Sequence, residues 1–199
     1  MADLAKVMDG DDMRLLPIAG RSPVQNVTDL LYLKGIDAAI LPVDVLDYVE
    51  AHRIHGAVTQ RVSYITKLYS DDVHLLARRE IADAAALSGR KVDLGPEHSA
   101  SSVTGEALLK ALKLDVEATH NEFWDALSKL KAGEIDAMVY VAPRPAEGLS
   151  ALSAGDGVKL LPVELKGDVS ERYPPSLLTA ADYPGLIGQD SEVATVSVS

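Results

Sequence analysis

The chain has 199 residues, 47% of them apolar and 25% charged, with no Cys. A net charge of −11 without any Lys/Arg run longer than two argues against nucleic acid and anionic membrane surfaces, since both require a clustered positive field. The lack of Cys excludes disulfides, thiolate metal sites and Cys nucleophiles, and no apolar run reaches the 18 residues of a membrane span.

With one Trp and one Phe, the core must be built from Leu, Val, Ile and Ala, which suits an α/β protein. Ala2 to Met8 reads as an amphipathic helix tail stopped by Asp9-Gly10-Asp11-Asp12, and Met13 to Ala19 as a short strand. Ser22-Pro23 reads as an N-cap with Pro at N1, opening a helix to about Lys34 with Gly35 as its stop. Ile36 to Leu41 reads as a buried strand and Val43 to His52 as a helix. Tyr64 to Tyr69 and Val73 to Arg78, split by Ser70-Asp71-Asp72, read as a hairpin-like or bent strand pair. A short segment from Ile81 to Leu87 ends at Ser88-Gly89.

The βαβ pattern then returns. Strands are predicted at Lys91 to Leu94, Val116 to Thr119, Ile135 to Val141 and Val158 to Val163. Helices are predicted from Ser99 or Ser101 to Leu112, from Glu122 to Ala132, and from Ala146 to Ala154. Tyr173 to Gly188 reads as a Pro-rich loop region, and Val193 to Val198 alternates as a strand. The expected architecture is α/β and two-lobed, with parallel or mixed sheets flanked by helices. Residues 1–77 and 191–199 form the first lobe and residues 78–190 the second.

The most informative stretch runs from Lys91 to Leu109. A strand enters a Gly95-Pro96 turn, and small hydroxyl residues then open a helix. Free N–H groups and the helix dipole make such a tip an anion site, to which Ser99, Ser101 and Ser102 can add hydroxyls; alternatively, one Ser only caps the helix. Gln25 and Asn26 lie near a helix start, where they face a cleft or solvent. Asp44 opens a helix after a strand end, as a ligand contact or a partner of the helix dipole. Tyr140 and Arg144 follow the longest apolar strand; Arg144 is either a bidentate partner for a carboxylate or an exposed loop residue. Tyr69 stacks on a ligand or packs at a hinge. His52 and His55 lack the Glu and the third ligand of a zinc site, so no metal or other cofactor is expected. Gly-x-Ser-x-Gly and phosphate-loop signatures are absent, which argues against an enzyme.

Gly95-Pro96-Glu97-His98-Ser99-Ala100-Ser101 joins a strand to a helix, and in this segment the chain resembles the TAXI-type solute receptors of TRAP transporters, whose pattern is strand-Gly-x-x-x-Ser-Gly-Thr-helix. Further islands follow in the family's order: Val24 to Leu31, Gly35 to Ile40, Ile65 to Ala77, Leu130 to Ala137 and Asp182 to Gly185. Ala100-Ser101 replaces Gly-Thr, and Pro42-Val43-Asp44 stands where Gln-Ser-Asp is common. The resemblance implies a two-lobed periplasmic-binding-protein-like fold whose first lobe is incomplete here. It also implies a carboxylate-bearing ligand, amino acid or organic acid, a TRAP-type membrane permease as partner, and periplasmic residence. No apolar leader is visible at Met1 to Lys6, so a cytosolic ligand-sensing domain of the same architecture is the alternative.

Overall fold

The computed structural model describes residues 5–6 and 14–199 of the chain. Apart from positions 5 and 6, the helix expected from Ala2 to Met8 lies outside the described residues. The helices are α1 (Pro23–Tyr32), α2 (Val45–Ala51), α3 (Ala100–Ala111), α4 (Phe123–Ala132) and the single turn α5 (Val169–Arg172). The strands are β1 (Asp71–Arg78), β2 (Lys91–Asp93), β3 (Glu117–Thr119), β4 (Ala137–Ala142), β5 (Val158–Leu161), β6 (Pro175–Thr179) and β7 (Glu192–Val198).

All seven strands join one open mixed sheet in the order β3-β2-β4-β1-β7-β6, with β5 also on β1. Strand β1 is its axis. One edge pairs antiparallel with β4 from Asp72 to Ala77. The other edge is shared by β7, at Asp71 and Asp72, and β5, from Leu75 to Arg78. Six consecutive residues of β1 are buried, because both faces as well as both edges are covered.

Alternation along the central strands feeds two cores. Val73, Leu75 and Ala77 of β1 join Val139 and Val141 of β4 beneath α3, where Leu108 packs. Leu76 and Met138 face the other way, toward Ala126, Leu127 and Leu130 of α4. Gly105 lets α3 lie close: a Cβ there would stand 3.1 Å from Leu94 Cδ2 and 3.5 Å from Val139 Cγ1. A third, smaller cluster joins Val24 and Val27 of α1, Val45 and Val49 of α2, Val58 and Val103 of α3.

The caps follow local chemistry. Ser22 Oγ accepts the Gln25 N–H at 3.1 Å with Pro23 at N1, and Gly133, at φ 76°, ends α4 in the left-handed conformation.

Five expectations are corrected. Residues 14–19 and Ile36 to Leu41 pair with no strand, and neither segment is buried. Tyr64 to Tyr69 is extended but unpaired, so no hairpin with β1 forms. In all three, strand propensity finds no ladder partner, and a lone strand has nothing to hold it. Ala146 to Ala154 makes turns rather than a helix, with Gly148 at φ 86° breaking the run. The Pro-rich region contains strand β6, with Pro175 at its first position on the outer edge, where a missing N–H costs little.

Leu76 is fully buried at the centre of β1. Leu76→Ala is expected to lower unfolding free energy by about 3 kcal/mol, read from urea denaturation. A loss below about 1 kcal/mol would mean that the β1–α4 core is not packed as described.

Candidate functional site

Strand β2 lies between β3 and β4 and is parallel to both. Helix α3 leads from β2 to β3 on one face, and α4 returns from β3 to β4 on the other. The strand order therefore reverses between β2 and β4, and the crevice beyond their carboxyl ends is where open α/β sheets place ligands. Helix α3 begins there.

The turn into α3 is built from β2 outward. Asp93 is fully buried; its Oδ1 accepts the Gly95 N–H at 2.9 Å, and its Oδ2 accepts the Thr119 hydroxyl at 2.8 Å. His120 Nδ1 donates to the Gly95 carbonyl at 2.9 Å. Gly95 has φ 73°, and a Cβ there would crowd Ser101 Cβ at 3.1 Å and Ser99 Oγ at 3.3 Å. Glycine thus allows the loop to fold back on the helix tip.

The four tip residues divide their work. Ser99 is the N-cap, its Oγ accepting the Ser102 N–H at 3.2 Å. Ser101 Oγ accepts the Val141 N–H at 3.0 Å and so pins α3 to the end of β4. Ser102 is buried, and its hydroxyl makes no hydrogen bond. The backbone N–H groups of Ala100 and Ser101 are likewise unbonded. Two amides and one hydroxyl are thus left as donors at the positive end of a 12-residue helix.

Beside this tip lies a buried acid. Asp44, 3% exposed, accepts the Thr104 hydroxyl at 2.7 Å and the Tyr173 hydroxyl at 2.9 Å, both on Oδ2. Its Oδ1 has no partner. Burial raises the carboxyl above its ordinary range, against the lowering effect of the two hydroxyls. Burial and the neighbouring carboxylate also raise the Tyr173 phenol. The same contacts tie the α1–α2 segment to the sheet, together with Val43 N–H to Ser199 O at 2.6 Å and an ion pair between Asp47 and Arg172.

At the end of β4, Arg144 is paired internally: its Nε meets Asp72 Oδ2 at 2.6 Å, and its guanidinium also reaches the Leu177 carbonyl. Tyr140 packs its ring on Phe123 at 4.5 Å, and its carbonyl accepts His74 Nδ1 at 3.1 Å. His74 must therefore carry its proton on Nδ1, leaving Nε2 to accept the Tyr183 hydroxyl at 2.6 Å. That hydroxyl in turn accepts the Ala146 N–H at 2.9 Å. Burial holds His74 below its ordinary pKa and raises Tyr183 to about 12. This chain braces the β1–β4 crest.

The structure thus gathers Ser99, Ala100, Ser101, Ser102, Asp44, Tyr140 and Arg144 at the same end of the sheet. Gln25, Asn26 and Tyr69 stand outside these contacts. Gln25 is exposed and donates to Asp29 at 2.8 Å, and Asn26 lies against Gly20. Tyr69 is exposed just ahead of β1 and makes no ring contact. Sequence reasoning did not identify Thr104, Tyr173 or Asp72 as part of this end. Only the adjacency of Asp72 to Val73 in a strong strand hinted at a crest position.

An open mixed sheet with flanking helices and a polar crest at its switch point defines the class of the molecule. The chain belongs to the NMT1-like family, whose model matches residues 1–199. Among solved structures it is similar to holo ArgBP from T. maritima, at 17% identity and TM-score 0.47, over 99% of this chain and 70% of that one. It is also similar to AbpA, an amino acid ABC transporter substrate-binding protein from Streptococcus pneumoniae bound to L-arginine (15%, TM-score 0.38, 94% and 72%). A third is an ABC transporter periplasmic binding protein from Brucella ovis with glutathione bound (19%, TM-score 0.39, 49% and 31%). The chain spans less than a third of that last protein's length, and likenesses at this level give no residue correspondence.

In the unfolded chain the Asp44 carboxyl loses its proton near 3.8, while the folded one holds it to higher pH. The fold binds an extra proton between the two values, so this contribution to stability is full at low pH and lost as pH rises through the folded value. Asp44→Asn keeps an oxygen for Thr104 and Tyr173 but cannot titrate. Relative to Asp44→Asn, the wild type should lose stability as pH is raised from about 3.8 toward neutrality. A pH-independent difference in urea midpoints would refute this.

Proposed function

We propose that the chain is a solute-binding module, not an enzyme, that captures a small carboxylate-bearing ligand, an amino acid or organic acid, at the tip of α3. The observation that carries this reading is the set of unbonded donors at Ala100 N, Ser101 N and Ser102 Oγ, beside the β2/β4 switch point. A carboxylate accepts from paired amides and a hydroxyl without requiring a buried cation. The captured ligand is handed to a TRAP-type membrane permease, in keeping with the motif resemblance from Gly95 to Ser101 and from Ile65 to Ala77. Residence is periplasmic on the same reading.

In this proposal residues 1–77 and 191–199 form one lobe and 78–190 the other. Tyr69, Gln25 and Asn26 belong to the surface that closes over the guest. Arg144 reaches the guest only by releasing Asp72, so its contribution is conditional on closure. No helix among the described residues is long and apolar enough to cross a membrane.

Two variants separate binding from stability. Ser102→Ala removes a hydroxyl that the fold does not use. Ala100→Pro removes one amide donor at N1, where proline is tolerated, and the φ −70°, ψ 166° of Ser99 suits a residue before proline. Calorimetry with the L-amino acids and small di- and tricarboxylic acids should find a ligand for the wild type. Each variant should weaken that binding by about 1–3 kcal/mol with an unchanged urea midpoint. Unchanged affinity in both would remove the α3 tip from the site, and no binding by any acid of the panel would refute the reading.

A further inference from the structure

Three consecutive residues at the end of β3 grasp the turn that leads into α3. Thr119 and Asn121 both donate to Asp93 Oδ2, the first through its hydroxyl at 2.8 Å and the second through Nδ2. Between them His120 Nδ1 donates to the Gly95 carbonyl at 2.9 Å. Asp93 also takes the Gly95 N–H on Oδ1, so both backbone polar groups of Gly95 are held. The Asp93 carboxylate is fully buried and accepts from three donors, yet makes no ion pair among the described residues.

Its positive counterpart stands one amide away. Lys129 Nζ donates to Asn121 Oδ1, the other end of the amide whose Nδ2 donates to Asp93. Side chains of a helix lean toward its N-terminus, which lets a lysine late in α4 reach back to the residues ahead of that helix. Ammonium, amide and carboxylate thus donate in one sense toward Gly95, and Asn121 and Lys129 are both half-buried, where such a chain polarises along its length. We propose that Asn121 and Lys129 are positioning residues for the α3 tip: they hold Asp93, Asp93 holds the Gly95 turn, and the turn sets the donors of Ala100, Ser101 and Ser102.

The coupling from turn to tip is steric. Gly95 lies so close that a Cβ on it would stand 3.1 Å from Ser101 Cβ and 3.3 Å from Ser99 Oγ, so a displaced turn moves the start of α3. A second effect is electrostatic. An anion at the tip has the buried Asp93 carboxylate on the far side of the turn, and the Lys129 charge offsets it. The inference rests on the reading of the α3 tip as the binding site, and makes its affinity depend on a lysine of α4, on the opposite face of the sheet from α3.

The test is amide NMR of the full chain, first without ligand and then with acetate as the probe. Without ligand, Lys129→Met and Asn121→Ala should each move the Gly95 amide proton upfield, as its bond to Asp93 loosens. The two act in series, so the double variant should be no worse than Asn121→Ala alone. Lys131→Met removes a charge from the same helix, but one paired with Asp156 at 2.7 Å, and should leave Gly95 unmoved. With acetate, followed at the Ala100 and Ser101 amides, Lys129→Met should bind roughly tenfold more weakly than the wild type. An unmoved Gly95 in Lys129→Met, effects that sum in the double variant, or equal acetate affinity would each overturn the proposal. Acetate that moves neither amide in the wild type would count against the α3-tip reading, and Gly95 would then decide the positioning role by itself.

Discussion

Everything in the molecule is hung on strand β1. A β-strand has two edges and two faces, and between Asp72 and Ala77 all four are in use: β4 on one edge, β7 and β5 in succession on the other, the α3 core above and the α4 core below. The site elements inherit their positions from this arrangement. Once β4 is registered against β1, the Val141 amide is directed at Ser101, and the α3 tip is held at the crest. Once β7 pairs with Asp71 and Asp72, its end meets Val43, and the α2 start carrying Asp44 is drawn to Thr104 and Tyr173.

The crest separates groups that brace the fold from groups left available. Asp93, Ser99, Ser101, His74 and Tyr183 all have their hydrogen bonds committed to neighbouring chain. Such satisfied networks specify one arrangement, because a partly broken one strands polar atoms in a low dielectric. The uncommitted groups are of two kinds. Donors sit at the α3 tip; acceptors are the single oxygens of Asp44, Asp71 and Asp72. A helix N-terminus favours negative charge, so the donor set and the dipole act in the same sense.

Beyond the sheet lies the segment upstream of β1. The same chain that is completely covered from Val73 to Ala77 is bare from Tyr64 to Tyr69, a few residues earlier. The sequence composition is similar in both halves; what differs is whether a neighbouring strand stands alongside. Membership of the NMT1-like family extends across both halves, since its model matches residues 1–199.

Where helices start and stop was legible in the amino-acid order, because local chemistry decides it. Ser22-Pro23 starts a helix, Ser99 caps one and Gly133 stops one for reasons contained within a few residues. The Gly95 turn into α3 and the apolar run before Ala142 were legible on the same grounds. Pairing was not, because a strand is defined by its neighbour. Tyr64 to Tyr69 and Val73 to Arg78 have similar β propensity, yet only the second finds partners. Strand β6 was hidden by Pro174 and Pro175 at its start. Nor could the order alone join Asp44 to Thr104 and Tyr173, 60 and 129 residues away. Contacts at that separation are set by how helices and strands stack, and local propensity carries no information about them.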